Sequence, residues 1–133
     1  MIIDPSKANP TAVKHDHGKP RFEMLPPDAL EAVALTMNSG CEKYGDRNWE
    51  KGMQYGRVFG AMMRHAWAYW RGENLDKDSG LPHLAHAGAC VLMLLAYQLR
   101  EGKEVYADPV AKDNRCKISN PPTSEKDYDA QQC

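Results

Sequence analysis

Residues 84–100, Leu-Ala-His-Ala-Gly-Ala-Cys-Val-Leu-Met-Leu-Leu-Ala-Tyr-Gln-Leu-Arg, are apolar almost all the way round a helical projection. A helix of that kind has no face suited to water, so it must be largely covered by other elements. The helix is predicted to run from about Leu81 to Arg100, where Gly102 follows. At its mouth stand His83 and His86, and i and i+3 share a helical face. Glu73, Asp76 and Asp78 lie just upstream, in a turn-forming run that ends at Gly80 and Pro82. Imidazoles at the entrance of a covered helix, beside three carboxylates, mark the first place to seek function.

The run is about as long as a short membrane span, but the histidines and Gly88 interrupt it, and a core helix is the expected reading. Elsewhere the periodicity is also helical. Pro27-Asp-Ala-Leu-Glu31 is a helix start, with proline in the first turn and acids near the positive end of the helix dipole. Leu30, Val33, Ala34 and Met37 keep the 3.6-residue period, and Gly40 and Gly45 weaken or end it. Asp46–Gly52 is expected as a short turn of helix or a structured loop. A second helix is predicted from about Val58 to Trp70, closed by Gly72. No segment alternates with period two, so the fold class expected is all-α, a small bundle of about three main helices.

Three helices, one apolar nearly all round, cannot cover their own core. A four-helix or larger bundle completed by homo-oligomerisation, as a dimer or tetramer, is therefore expected. The 133 residues suit one domain. They divide into a loose lead (1–13), a helical domain (14–102) and a polar tail (103–133) expected to be flexible or to lie on a partner surface. With 17 basic and 18 acidic residues there is no electrostatic footprint for duplex nucleic acid. The four cysteines are widely spaced without a C-x-x-C pair, and no apolar leader follows the first residues, so a reduced, cytoplasmic chain is expected.

Several groups of residues carry possible chemistry. Neutral imidazole suits zinc or manganese better than magnesium, whereas carboxylates suit hard cations that keep waters for a phosphate substrate. His83, His86, Glu73 and Asp76 are thus candidates to hold a divalent metal, with Glu31 a more remote one. A single histidine on an apolar helix is more often a core residue, and carboxylates before a helix often only stabilise its N-terminus. Asp78 or Ser79 could simply cap the third helix. His65, in the middle of the second helix, can face the same cavity. Cys90, one turn beyond His86, allows the further alternative of a structural zinc site. Lys19 and Arg21, around Pro20, are candidate phosphate ligands, although a solvated loop is the plainer reading. Lys43-Tyr-Gly-Asp-Arg-Asn-Trp49 offers Lys43 for phosphate and Tyr44, Asn48 and Trp49 for base and sugar contacts; the same residues can also plug the end of a bundle.

The ordered succession His15-Asp-His-Gly-Lys-Pro-Arg21, Leu25-Pro-Pro27, Lys43-Tyr-Gly-Asp-Arg-Asn-Trp49 with Gly52, Arg64-His65, Trp70-Arg-Gly-Glu73, Asp76 and Ser79-Gly-Leu-Pro-His-Leu-Ala-His86 resembles a small family common in phages and prophages, the dATP/dGTP diphosphohydrolase N-terminal domain. The resemblance spans about residues 14 to 100. It implies hydrolysis of a purine deoxynucleoside triphosphate to monophosphate and pyrophosphate, dependent on a divalent metal, magnesium or manganese. It also suggests distant similarity to MazG-like all-α NTP pyrophosphohydrolases, helix bundles that hold their metal with E-x-x-E and E-x-x-D pairs. This chain departs from that pattern. His83 and His86 occupy the two ligand positions on the third helix, and Glu31 and Glu42 are not three apart. Under this resemblance His65, Glu73 and Asp76 are the candidate catalytic residues. The alternative is a non-catalytic protein of phage origin that binds and sequesters a purine nucleotide.

Overall fold

A computed structural model describes residues 11–101 and 113–115. Three helices carry it: α1 (Pro27–Tyr44), α2 (Tyr55–Trp70) and α3 (His83–Arg100), with short 3-10 turns at Phe22–Met24 and Asn48–Lys51. Among the described residues there is no strand, only one isolated antiparallel bridge, Leu75 with Pro82. The architecture is all-α, as the periodicity predicts. None of the described helices is long and apolar enough to cross a membrane.

The helix boundaries follow local chemistry. α1 begins at a proline, whose fixed φ and missing N–H cost nothing in a first turn. It ends where Gly45 takes φ 90°, open to glycine but costly for a side chain. The second helix starts three residues earlier than predicted, at Tyr55. Gln54 gives no side-chain cap there. The Asn114 side chain does that work instead, accepting a 2.7 Å hydrogen bond from the Gly56 N–H. Period alone could not reveal a cap supplied from 58 residues away. The lead before residue 11 and all of the predicted tail except 113–115 lie outside the described residues.

The central element is α3, which packs along α2 and, over a shorter stretch, against α1. Its buried alanines, Ala85, Ala87 and Ala89, let both neighbours approach closely. Gly88 belongs to the same set, because a Cβ there would lie 3.1 Å from Val33 Cγ2. Toward its C-terminal half, α3 places Tyr97 flat against Tyr55, with ring centroids 5.7 Å apart and planes at 1°. Val58 completes this core cluster, and Trp49, Met53, Cys90, Met93 and Leu94 pack around it.

This core is thin. Among the described residues no large side chain is fully buried, while Leu84, Val91, Leu92, Leu95 and Leu99 of α3 are exposed. Three helices of one chain do not cover α3, as its apolar circumference predicts: among the described residues α1 and α2 pack against it, and the side chains of Leu84, Val91, Leu95 and Leu99 stay exposed.

Candidate active site

The loop between α2 and α3 is shaped to aim side chains at the start of α3. Gly72 and Gly80 adopt φ 96° and 72°, the left-handed region that glycine enters without a Cβ clash. Between them the chain folds back on itself. The Asp76 N–H donates to the Leu81 carbonyl at 2.8 Å, and the His83 N–H donates to that of Asn74 at 2.9 Å. The second of these satisfies one of the backbone donors that a helix start leaves open.

The expected capping role of Asp78 and Ser79 is replaced by something more specific. Pro82 precedes α3 without any side-chain cap. Asp76 Oδ2 instead accepts the Ser79 N–H at 3.0 Å. The Ser79 hydroxyl oxygen accepts the Leu81 N–H at 3.2 Å and lies 2.6 Å from His86 Nε2. Ser79 thus ties the loop to α3 through an imidazole. This partner was not legible in the sequence beyond its position in a Ser-Gly turn.

Three imidazoles from two helices meet at this point. His65, mid-way along α2, brings its Nδ1 to 2.8 Å from Nδ1 of His83. Its ring stacks on that of His86, with centroids 4.5 Å apart and planes at 12°. His83 is buried, at 6% exposure. Glu73 Oε1 stands 3.7 Å from His83 Nε2, and Asp76 Oδ2 stands 3.8 Å from His86 Nε2. One ligand atom each from His65, Asp76 and His83 falls within a sphere of contacts no wider than 4.8 Å. His83 Nε2 itself is buried and has no hydrogen-bond partner among the described residues.

The electrostatics favour neutral rings at His65 and His86 and an ionised carboxylate at Asp76. Burial, followed by the neighbouring His86 and His83, pushes the His65 imidazole below its ordinary range. Burial does the same to His86 against the opposing pull of Asp76, and the charge of Lys43 adds to the depression. The Ser79 N–H holds the Asp76 carboxyl below the usual carboxylate range. At neutral pH the site therefore offers imidazole lone pairs beside a negative oxygen. That is a donor set for a transition ion, and it also supplies bases for proton transfer.

The structure brings together His65, Asp76, His83 and His86, with Glu73 at the rim and Lys43 close enough to act on His86. It does not bring in the rest. Tyr44 ends α1 as an exposed ring, and Glu31 is exposed on the same helix. Asn48 and Trp49 form the 3-10 turn at the other end of α3, where the Tyr97 hydroxyl donates to the Trp49 carbonyl. Arg100 lies over the Trp49 ring, 5.3 Å from its centroid. At 1.5 Å of rise per residue, Tyr97 sits about 16 Å along the helix from His86. Trp49 thus plugs one end of the bundle. Lys19 and Arg21 lie in the exposed segment before α1, and Arg21 pairs with Glu23 at 2.7 Å. Cys90 turns into the core cluster and does not extend the histidine set. A feature that periodicity did not single out is an open groove of about 330 Å³ on α2, lined by Met63, Arg64, Trp67 and Arg71.

Residues 9–107 match the family described as dATP/dGTP diphosphohydrolase, N-terminal. Over 127 residues the chain is 31% identical to a protein of Salmonella phage PMBT28 named dATP/dGTP diphosphohydrolase. That alignment takes in 91% of this chain and 43% of the relative, so the chain spans less than half the length of the curated relative it matches. No solved structure matches it. With the family match running from the lead through all three helices, the chain belongs to the dATP/dGTP diphosphohydrolase N-terminal family.

Proposed function

We propose that this chain hydrolyses a purine deoxynucleoside triphosphate to the monophosphate and pyrophosphate, with a divalent ion, magnesium or manganese, at the junction of α2, α3 and the intervening loop. The observation that carries the reading is the convergence of His65, Asp76 and His83 in a chain of this family. The residues fit an ion: two imidazoles, a carboxylate held ionised, and a buried ring nitrogen that lacks a partner. A bound divalent ion would lower the pKa of water and offset the charge of the triphosphate.

The protein's own groups supply the rest. Attack of water at the α-phosphorus forms a new P–O bond and breaks the bond to the pyrophosphate oxygen. A proton must leave the attacking water as this happens. His86, neutral at pH 7, can take it directly or through the Ser79 hydroxyl that touches its Nε2. Asp76 is a candidate ligand, and its acceptance of the Ser79 N–H keeps that hydroxyl aimed at His86. Lys43 places a positive charge on the same side, where a phosphate oxygen can use it.

A second copy of the chain completes the bundle in this reading. Leu84, Val91, Leu95 and Leu99 recur at intervals of seven, four and four on the uncovered face of α3. That spacing is one stripe at 3.6 residues per turn. Each such side chain moved out of water is worth about 1.5–3 kcal/mol when fully covered. The thin core gives the chain reason to use them, and a like stripe on a second copy is self-complementary across a two-fold axis.

The function is tested by incubating the purified chain with each dNTP and magnesium or manganese, then separating the products. Purine deoxynucleoside monophosphate and pyrophosphate in equal amounts support it. Recovery of intact nucleotide with every ion contradicts it.

A further inference from the structure

The two Nδ1 atoms of His65 and His83, 2.8 Å apart, can share only one proton between them. If His83 supplies it, His83 Nε2 becomes a bare lone pair facing the Glu73 carboxylate. If His65 supplies it, His83 Nε2 carries a proton whose nearest acceptor, Glu73 Oε1, is 3.7 Å away. Neither arrangement satisfies a ring that is 94% buried by its 6% exposure, and buried ring nitrogens are rarely left in that state.

A cation resolves both difficulties at once. With an ion between the rings, both Nδ1 lone pairs point at positive charge and both ring protons sit on Nε2. The His83 proton then points at Glu73, the carboxylate–histidine–metal arrangement that fixes tautomer and ring orientation at many metal centres. Donor atoms about 2.0–2.2 Å from one ion lie at most about 4.4 Å apart; the two Nδ1 atoms, at 2.8 Å, already fall inside that span, and the His65, Asp76 and His83 donors all lie within 4.8 Å of one another.

We infer that His65, His83 and Asp76 form a centre that narrows the choice of ion in the hydrolase reading, taking a transition ion (manganese, or the stronger nitrogen binders cobalt and zinc) in preference to magnesium, and that Glu73 is a positioning residue acting through His83 Nε2. The inference deepens the hydrolase reading and rests on the same site, but ion binding is measurable without turnover. It moves Glu73 out of the ligand set in which the sequence placed it. It also leaves His86 free of the ion, engaged with Ser79.

The test is titration of the whole chain with cobalt, zinc or magnesium chloride alone. Cobalt is followed by its visible absorption and the other ions by calorimetry. The expected result is one ion per chain, with zinc and cobalt bound roughly 100-fold or more tighter than magnesium. His65→Gln and His83→Gln should each weaken binding by a similar factor, and Glu73→Ala by about 10–100-fold. His65 is only half-buried, so His65→Gln gives the decisive reading if His83→Gln does not fold. No ion uptake by the wild-type chain, undiminished uptake in His65→Gln, or magnesium bound as tightly as zinc overturns the centre. Undiminished uptake in Glu73→Ala overturns the positioning role. Tight, histidine-dependent uptake without dNTP turnover would uphold the centre while removing the hydrolase reading.

Discussion

The ring of His65 from α2 lies between those of His83 and His86 from α3, touching Nδ1 of the first at 2.8 Å and stacking on the second at 4.5 Å. This contact joins the two helices at one end, as the Tyr55–Tyr97 stack joins them nearer the other. One end is polar and the other apolar, which separates candidate chemistry from core packing along a single helix pair. Substitutions at the two ends should therefore affect different properties.

At the apolar end, burial raises the Tyr97 phenol to about 12 from an ordinary value of 10.0. A raised folded-state pKa means that the folded chain holds its proton more tightly than the unfolded one. The resulting stability is complete below pH 10 and is lost as pH rises toward 12. The loss amounts to about 2–3 kcal/mol. Tyr97→Phe should flatten this alkaline decline while costing about 0.5–1.5 kcal/mol at neutral pH, through the lost bond to the Trp49 carbonyl. Denaturant unfolding between pH 8 and 12 checks both effects.

Two helical glycines should respond in opposite directions. Gly88→Leu drives a side chain into Val33 and should destabilise by about 1–3 kcal/mol. Gly40→Ala meets nothing within 4 Å and should stabilise α1 by about 0.5–1 kcal/mol. Thermal melts of the two variants separate the effects of close approach from those of backbone freedom.

Much of this was legible in the sequence, and the gaps have physical causes. Period 3.6 gave three helices, and Pro27, Gly45 and Gly72 marked ends that the structure keeps. The i, i+3 spacing put His83 and His86 on one face, and His65 met them from the facing helix. What period could not give was which aromatic side chains turn inward. Trp49 went to the Tyr97 end because its carbonyl and ring are both engaged there by α3. Nor could it give Ser79 as the partner of His86, because that depends on the loop turning back at Gly80.

The start of α2 depends on a distant residue. Asn114→Ala removes the acceptor of the Gly56 N–H and should cost about 0.5–2 kcal/mol, the usual range for a lost N-terminal cap. Hydrogen exchange should show faster loss of protection in the first turn of α2 with α3 unchanged. Equal protection in both proteins would show that the cap contributes nothing in solution.

The uncovered stripe of α3 yields a prediction about assembly. Leu95→Glu with Leu99→Glu should convert a dimer or larger assembly into a 15 kDa monomer, since charges replace apolar groups that water already reaches in the single chain. Light scattering across a dilution series reads this directly. A wild-type chain that is monomeric at tens of micromolar would remove the second copy from the account.

The central claim is that the histidine junction carries out triphosphate hydrolysis. Its most direct measurement is pyrophosphate release from dATP and dGTP, with manganese present, by the wild-type chain and by a His65→Gln/His83→Gln double variant whose helical content is verified by circular dichroism. The account predicts release of monophosphate and pyrophosphate by the wild type, and loss of at least about 100-fold in the folded variant, the scale on which a positioned base or metal site contributes. Equal pyrophosphate release by both proteins, or nucleotide held intact by the wild type, would contradict it.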